Sequence, residues 1–185
     1  MKIKKVLAVL AVSALALSSM SCRATERYRR AQEEEAANRP LRCSKEFGRY
    51  EFAPGWIEAG SNGSDFYYYY PSEFEDYDVV PYDIAVVHSA NDYSLENNVN
   101  FCGDEYQNIV EAYGEDAVNN VSNVTMNGER WVTFEIITDD IHFYRWYTLG
   151  DYEQVLFELT INDEASFDDD DLYEVENDVY SFSWD

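Results

Sequence analysis

The stretch VSNVTMNGERWVTFEIITDDIHFYRWYTLGDYEQVLFELTI, residues 121–161, decides the fold. Val121 to Met126 reads as a strand, and Asn127-Gly128 after it is the pair that most readily supplies the two positive-φ positions of a tight hairpin. Arg130 to Thr138 alternates Val132, Phe134 and Ile136 with Trp131, Thr133, Glu135 and Ile137, the period of two that gives a strand two distinct faces. Asp139-Asp140 makes the next turn, Ile141 to Leu149 returns, Gly150-Asp151 turns again, and Glu153 to Ile161 returns once more. Strands joined by connections this short pair antiparallel, so the segment predicts an antiparallel meander.

Toward the N-terminus the period changes. Leu95, Val99, Cys102, Tyr106, Ile109 and Tyr113 recur every three or four residues, which places them on one face of an α-helix. Ser94 is suited to cap that helix and Gly114 to end it. Before it, Asp83 to His88 reads as a short strand, Glu73 to Pro81 as an acidic loop, Phe66 to Tyr70 as a strand stopped by Pro71, and Phe47 to Phe52 as a strand broken at Pro54-Gly55. Toward the C-terminus, Leu172, Val175, Val179 and Phe182 predict a second amphipathic helix. The order of elements implies an α+β domain over residues 43–185, an antiparallel β-sheet flanked by helices.

Tyr50 to Trp56 (Tyr-Glu-Phe-Ala-Pro-Gly-Trp), Tyr93-Ser94-Leu95-Glu96 opening a helix, Val124 to Gly128 opening the meander, and a terminal helix ending in Tyr180-Ser181-Phe182 carry a resemblance. In these features residues 47–184 resemble the PsbP-like family, named for the extrinsic lumenal subunit of photosystem II. The resemblance implies an α/β/α sandwich, a fold shared with a Ran-binding nuclear import factor. Its matching positions are turns, caps and core residues, and the family's members do unlike things, so it implies architecture rather than activity. Nothing in the sequence marks a photosystem.

The first 22 residues read as an address. Lys2, Lys4 and Lys5 precede an apolar run from Val6 to Leu17, too short to span a bilayer, and small residues then lead into Cys22. This layout resembles a bacterial lipoprotein signal with a loose lipobox of the spirochaete kind: residues 1–21 would be removed and Cys22 would become the diacylated N-terminus. The alternative is ordinary cleavage near Ala16 or Ser21, releasing an unmodified chain. Residues 22–42 then form an anchor and polar tether, in which Arg23, Arg27, Arg29 and Arg30 would lie near anionic headgroups. The expected location is the bacterial cell envelope, with the outer membrane favoured. In such an oxidising setting Cys43 and Cys102 form an even pair and are expected to make a disulfide, a buried free thiol at Cys102 being the alternative.

Charge narrows the choice of partner. Residues 1–49 hold 11 Lys and Arg against 5 acids, whereas residues 50–185 hold 2 against 32. With only Arg130 and Arg145 left to meet phosphates, nucleic acid is a poor partner for the domain and an anionic ligand is equally disfavoured. Asp168 to Asp171, with Asp163 and Glu164, could offer oxygens to calcium, yet no EF-hand spacing is present, and the same acids suit the start of a helix. Phe66 and Tyr67 to Tyr70 put rings on both faces of one strand, so the outward half could stack on sugars or on a protein; Tyr144 and Trp146 invite the same reading.

No catalytic residues are assigned. His88 and His142 are the only histidines and read as strand residues with local hydrogen bonds, no nucleophile elbow or phosphate loop occurs, and 32 acids make any carboxylate pair arbitrary. Arg145 is expected to pair across strands with Glu135 or Glu158. Asn62, Asn120 and Asn123 open glycosylation triplets of little meaning in a bacterial chain. The sequence therefore points to a non-enzymatic envelope lipoprotein, without cofactor or metal, that presents an acidic, aromatic-rich domain to an unidentified protein partner. The alternative is a lipoprotein binding divalent cations or carbohydrate, with weak calcium or sugar binding.

Overall fold

The computed structural model describes residues 38–94 and 98–185. The expected signal segment, Cys22 and most of the tether lie outside the described residues. Pro40–Asp185 forms one compact unit.

Ten strands are described: β1 (Pro40–Lys45), β2 (Gly48–Pro54), β3 (Trp56–Ser61), β4 (Phe66–Pro71), β5 (Tyr82–Ala90), β6 (Val118–Met126), β7 (Glu129–Ile137), β8 (His142–Leu149), β9 (Glu153–Ile161) and β10 (Ser183–Trp184). Two α-helices accompany them, α1 (Asn98–Tyr113) and α2 (Asp169–Val179). The strands form a seven-stranded sheet in the order β3-β4-β5-β9-β8-β7-β6 and a three-stranded sheet in the order β1-β2-β10, antiparallel throughout. The meander occupies β6 to β9 with the expected turns: Trp131 faces Thr148, Trp146 faces Phe157, and Asn127 and Gly128 turn the first hairpin with φ of 52° and 93°.

Alternation along the strands splits the apolar residues between two cores. On one face Trp131, Trp146, Phe157, Ile84, Val86 and Tyr69 pack with Tyr50 and Phe52 of β2, Val175 and Val179 of α2, and Phe182. On the other, Val132, Phe134, Ile136, Tyr147 and Leu149 pack with Phe101 and Ile109 of α1. The large sheet is thus the middle layer, with α1 on one side and the small sheet together with α2 on the other. This is the α+β, α/β/α sandwich that the PsbP-like resemblance implies.

Several expectations are corrected. The first strand begins at Pro40, so Pro40 to Arg42 belong to β1 rather than to the tether. On α1 the expected Cys102, Tyr106 and Ile109 do face the core, joined by Phe101, while Val99 is 77% exposed and Tyr113 37% exposed. Beneath the helix the Tyr147 hydroxyl donates to Glu105 at 2.5 Å and the Phe101 ring packs edge-on against Tyr147, so Phe101 and Glu105 both meet the sheet. Residues 95–97, including Leu95 and the first turn beyond Ser94, fall outside the described residues.

The expected Cys43–Cys102 bridge is not formed, and both are free thiols. Cys43 packs in the core under the small sheet and Cys102 against the core under α1, so the seven-stranded sheet separates them. Burial pushes both thiols up from their ordinary pKa, so they stay protonated and unreactive at neutral pH. Alkylation of unreduced, denatured chain should therefore label both Cys43 and Cys102. A peptide pair recovered as a disulfide by mass spectrometry would show the assignment to be wrong.

Candidate functional site

The two sheets are held together by a chain of polar contacts crossing the gap between them. The Tyr50 and Tyr69 hydroxyls lie 2.8 Å apart, Tyr69 donates to Glu58 Oε2 at 3.2 Å, and Lys45 Nζ reaches the same carboxylate at 2.7 Å. Burial drives both tyrosine pKa values well above their usual value, so both remain donors. Lys45 also sits 3.7 Å above the Tyr67 ring, and the small sheet is thereby pinned to β3 and β4.

At one end of this gap the sheets part into a cleft of about 580 Å³. Turns and strand ends line it. Glu46 and Phe47 come from the β1–β2 hairpin, Asp65 from the loop before β4, and His88 from the end of β5. Glu129 opens β7, Gly150 and Asp151 lie in the β8–β9 turn, Glu153 opens β9, and Trp184 and Asp185 lie at and just after β10. Six carboxylates therefore line one mouth, one of which, Asp185, is paired with Arg49 at 2.9 Å. Burial raises the pKa of Glu129.

His88 is the hub of the mouth. Its ring stacks on Phe47 with centroids 4.8 Å apart and planes at 14°. Its Nδ1 lies 3.2 Å from Asp65 Oδ1, its Nε2 lies 3.0 Å from Glu153 Oε2, and its backbone N–H donates to the Asp65 carbonyl at 2.8 Å. One imidazole thus ties β5 to the β3–β4 loop, to β9 and to the small sheet. Each ring nitrogen thus lies within hydrogen-bond reach of a carboxylate.

The remaining sequence candidates fall elsewhere and act structurally. Arg145 pairs with Glu158 at 2.5 Å, under α1. Glu135 instead accepts from the Tyr144 hydroxyl at 2.6 Å and lies 3.2 Å from His142 Nε2, contacts that hold its pKa below the usual carboxylate value against the opposing effect of burial. Asp168 caps α2 by accepting from the N–H groups of Asp170 and Asp171, while Asp171 accepts from the Asp168 N–H, a reciprocal capping box. Asp163 likewise caps the short turn that holds Glu164. Among the described residues no group of three His, Cys, Asp or Glu side chains is placed to hold a metal ion.

Of the tyrosine run, Tyr69 is fully buried and Tyr67 lies under Lys45. Tyr68 and Tyr70, on the opposite face, meet edge-on with planes 65° apart, so they form no flat platform for a sugar ring. Trp146 is buried and stacks on Tyr144, which makes that pair core rather than surface. Asn62 opens the β3–β4 loop, and Asn120 and Asn123 lie on β6. The mouth itself was not visible in the sequence apart from His88, because its carboxylates are distributed over five turns and chain ends that only the topology brings together.

No family model matches the chain, and no curated protein matches it. Among solved structures it is similar to cyanobacterial PsbP (CyanoP) from Synechocystis sp. PCC 6803, at 15% identity over 80% of this chain and 94% of that one, with a TM-score of 0.56. A protein from Bacteroides thetaiotaomicron VPI-5482 aligns at 10% identity over 80% of this chain and 49% of that one, with a TM-score of 0.49. The first of these likenesses shows that the chain has a PsbP-like fold.

Proposed function

We propose that the chain is a non-enzymatic envelope lipoprotein, anchored through Cys22, whose folded domain holds a cationic segment of another protein at the acidic mouth. The observation that carries this reading is the convergence of Glu46, Asp65, Glu129, Asp151, Glu153 and Asp185 around the Phe47 and Trp184 rings. A Lys or Arg side chain entering the cleft meets several carboxylates, whose attraction grows as water is displaced. His88, set between Asp65 and Glu153, fixes two of these carboxylates at the mouth. Carboxylates at such a rim speed encounter and select basic partners more than they add raw affinity.

The full chain should bind an arginine- and lysine-containing probe peptide more weakly as salt rises, read by fluorescence anisotropy. The triple change Glu129→Gln, Asp151→Asn and Glu153→Gln should weaken binding roughly tenfold, since each tenfold is about 1.4 kcal/mol. Neutralising Glu75, Asp76 and Asp78 in the remote acidic loop should leave it nearly unchanged. Equal losses from the two triples would mean that diffuse charge, and not the mouth, attracts the peptide. For the anchor, Cys22→Ser should move the chain from the detergent to the aqueous phase, and a wild-type chain that mass spectrometry finds unlipidated would sink that part of the reading.

A further inference from the structure

The seven-stranded sheet has two edges, and they differ in kind. The β3 edge is blunted: its pairing with β4 is interrupted between Glu58 and Gly60, and Glu58 is engaged by Lys45 and Tyr69. These are devices that keep an edge from pairing with another chain. The β6 edge carries none of them over most of its length. Its nine residues, VNNVSNVTM, contain no charge and no proline, although 27% of the chain is charged and Glu115, Asp116 and Glu129 flank the strand closely. One irregularity, between Val118 and Asn120, confines the strand's regular pairing to Asn120–Met126. Along that stretch Asn120, Val121, Asn123, Thr125 and Met126 are exposed, with Val121 39% and Met126 41% accessible.

We propose that β6 is a self-recognition edge: two copies of this chain pair antiparallel through Asn120–Met126 and continue the large sheet across a twofold axis beside Asn123. The occupant follows from charge. A basic partner strand would be met by acids, which this chain carries in abundance elsewhere and omits here. A strand that pairs with itself about a twofold places residues near its midpoint opposite their own copies, where any charge would oppose a like charge. Asn123 is the midpoint of the regular stretch, and an amide can both donate to and accept from its own copy. The outward backbone groups of the edge supply the remaining hydrogen bonds.

Seven paired residues on each copy cover less than the standard interface of about 1,600 Å², so the association is weak and depends on concentration. It strengthens with salt, because screening relieves the repulsion between two acidic domains.

The test is sedimentation equilibrium on the full chain in mild detergent with micelles in excess, at 0.05 M and 0.5 M monovalent salt. A monomer–dimer equilibrium favouring dimer at the higher salt is expected. Asn123→Glu alone and Asn123→Lys alone should each weaken the dimer roughly fivefold, as like charges face each other across the axis. An equimolar mixture of the two variants should regain or exceed wild-type association, which a folding defect cannot mimic. A chain that stays monomeric in every condition, or a dimer indifferent to both substitutions and their mixture, would overturn the proposal.

Discussion

Gly48→Ala should destabilise the domain by about 3 kcal/mol, toward the upper end of what inserting atoms into a packed site costs. Gly48 opens β2 with φ of 157°, and a Cβ placed there would lie 2.6 Å from the Ser183 carbonyl oxygen and 2.7 Å from the Phe182 ring. Neither neighbour can yield easily. Ser183 is backbone paired with β2, and Phe182 is buried against Phe47, Tyr50, Trp131, Phe157 and Trp184. The added methyl therefore has to push β10 off β2, and Trp184 and Asp185 of the mouth move with it. In a domain of this size the melting temperature should fall by roughly 9 °C. Phe182→Leu, which frees space at the ring, should recover part of the loss in the double variant, so the two changes are less than additive. A loss under about 1 kcal/mol for Gly48→Ala would show that β10 is not held as described.

Stability should fall by about 3 kcal/mol between pH 5 and pH 8, the reverse of what paired surface carboxylates produce. Two carboxyls account for it. Asp178 accepts from the Ala53 N–H with both oxygens at 3.0 Å, yet burial outweighs those bonds and its pKa is pushed up to about 7. Asp83, a buried residue of β5, is pushed up to about 6 by burial despite its hydrogen bond with Tyr68. Unfolding returns both to the ordinary value near 4, so the folded state binds more protons across the interval. Their contribution is complete below about pH 4 and is lost as pH rises through about 6 for Asp83 and about 7 for Asp178. Each tenfold difference in proton affinity between the folded and unfolded chain corresponds to about 1.4 kcal/mol, and the partial exposure of Asp178 reduces what that group contributes. Asp178→Asn keeps an oxygen for the Ala53 N–H and should stabilise the domain at pH 8 by roughly 1–2 kcal/mol with little effect at pH 4. Denaturant titrations at matched ionic strength decide the matter, and stability that is level or rising from pH 5 to pH 8 would refute it.

The parts of the fold that were legible are those whose signals are local. Each strand of the meander alternates, and Asn127-Gly128, Asp139-Asp140 and Gly150-Asp151 punctuate it, so β7, β8 and β9 fall within about one residue of expectation. β1, β3 and β10 had no such signal. Pro40–Lys45 is half charged or polar and Ser183–Trp184 is two residues long, so both owe their conformation to pairing with β2. On α1 the expected face holds at Cys102, Tyr106 and Ile109 but not at its ends, and Phe101 was missed; Glu105 counts as polar in any hydropathy pattern, yet here it meets a buried tyrosine hydroxyl. The cysteine pairing failed for a related reason: spacing along the chain says nothing about which face of the sheet a residue reaches. The mouth needed the most tertiary information, since its lining residues run from Glu46 to Asp185.

That span has a kinetic meaning. The Glu51 N–H donates to the Ser181 hydroxyl across 130 residues, and the β2–β10 pairing next to it is just as remote. Contacts of such separation carry a large loop-closure cost and accumulate late in folding, after a meander built from neighbouring strands has formed. The small sheet completes only when Ser183 and Trp184 arrive beside Gly48, so a chain that has already settled its central sheet still has no assembled cleft. β10 is two residues long and pairs only through Ser183 and Trp184, so its amide protons should exchange before those of β8 and β9.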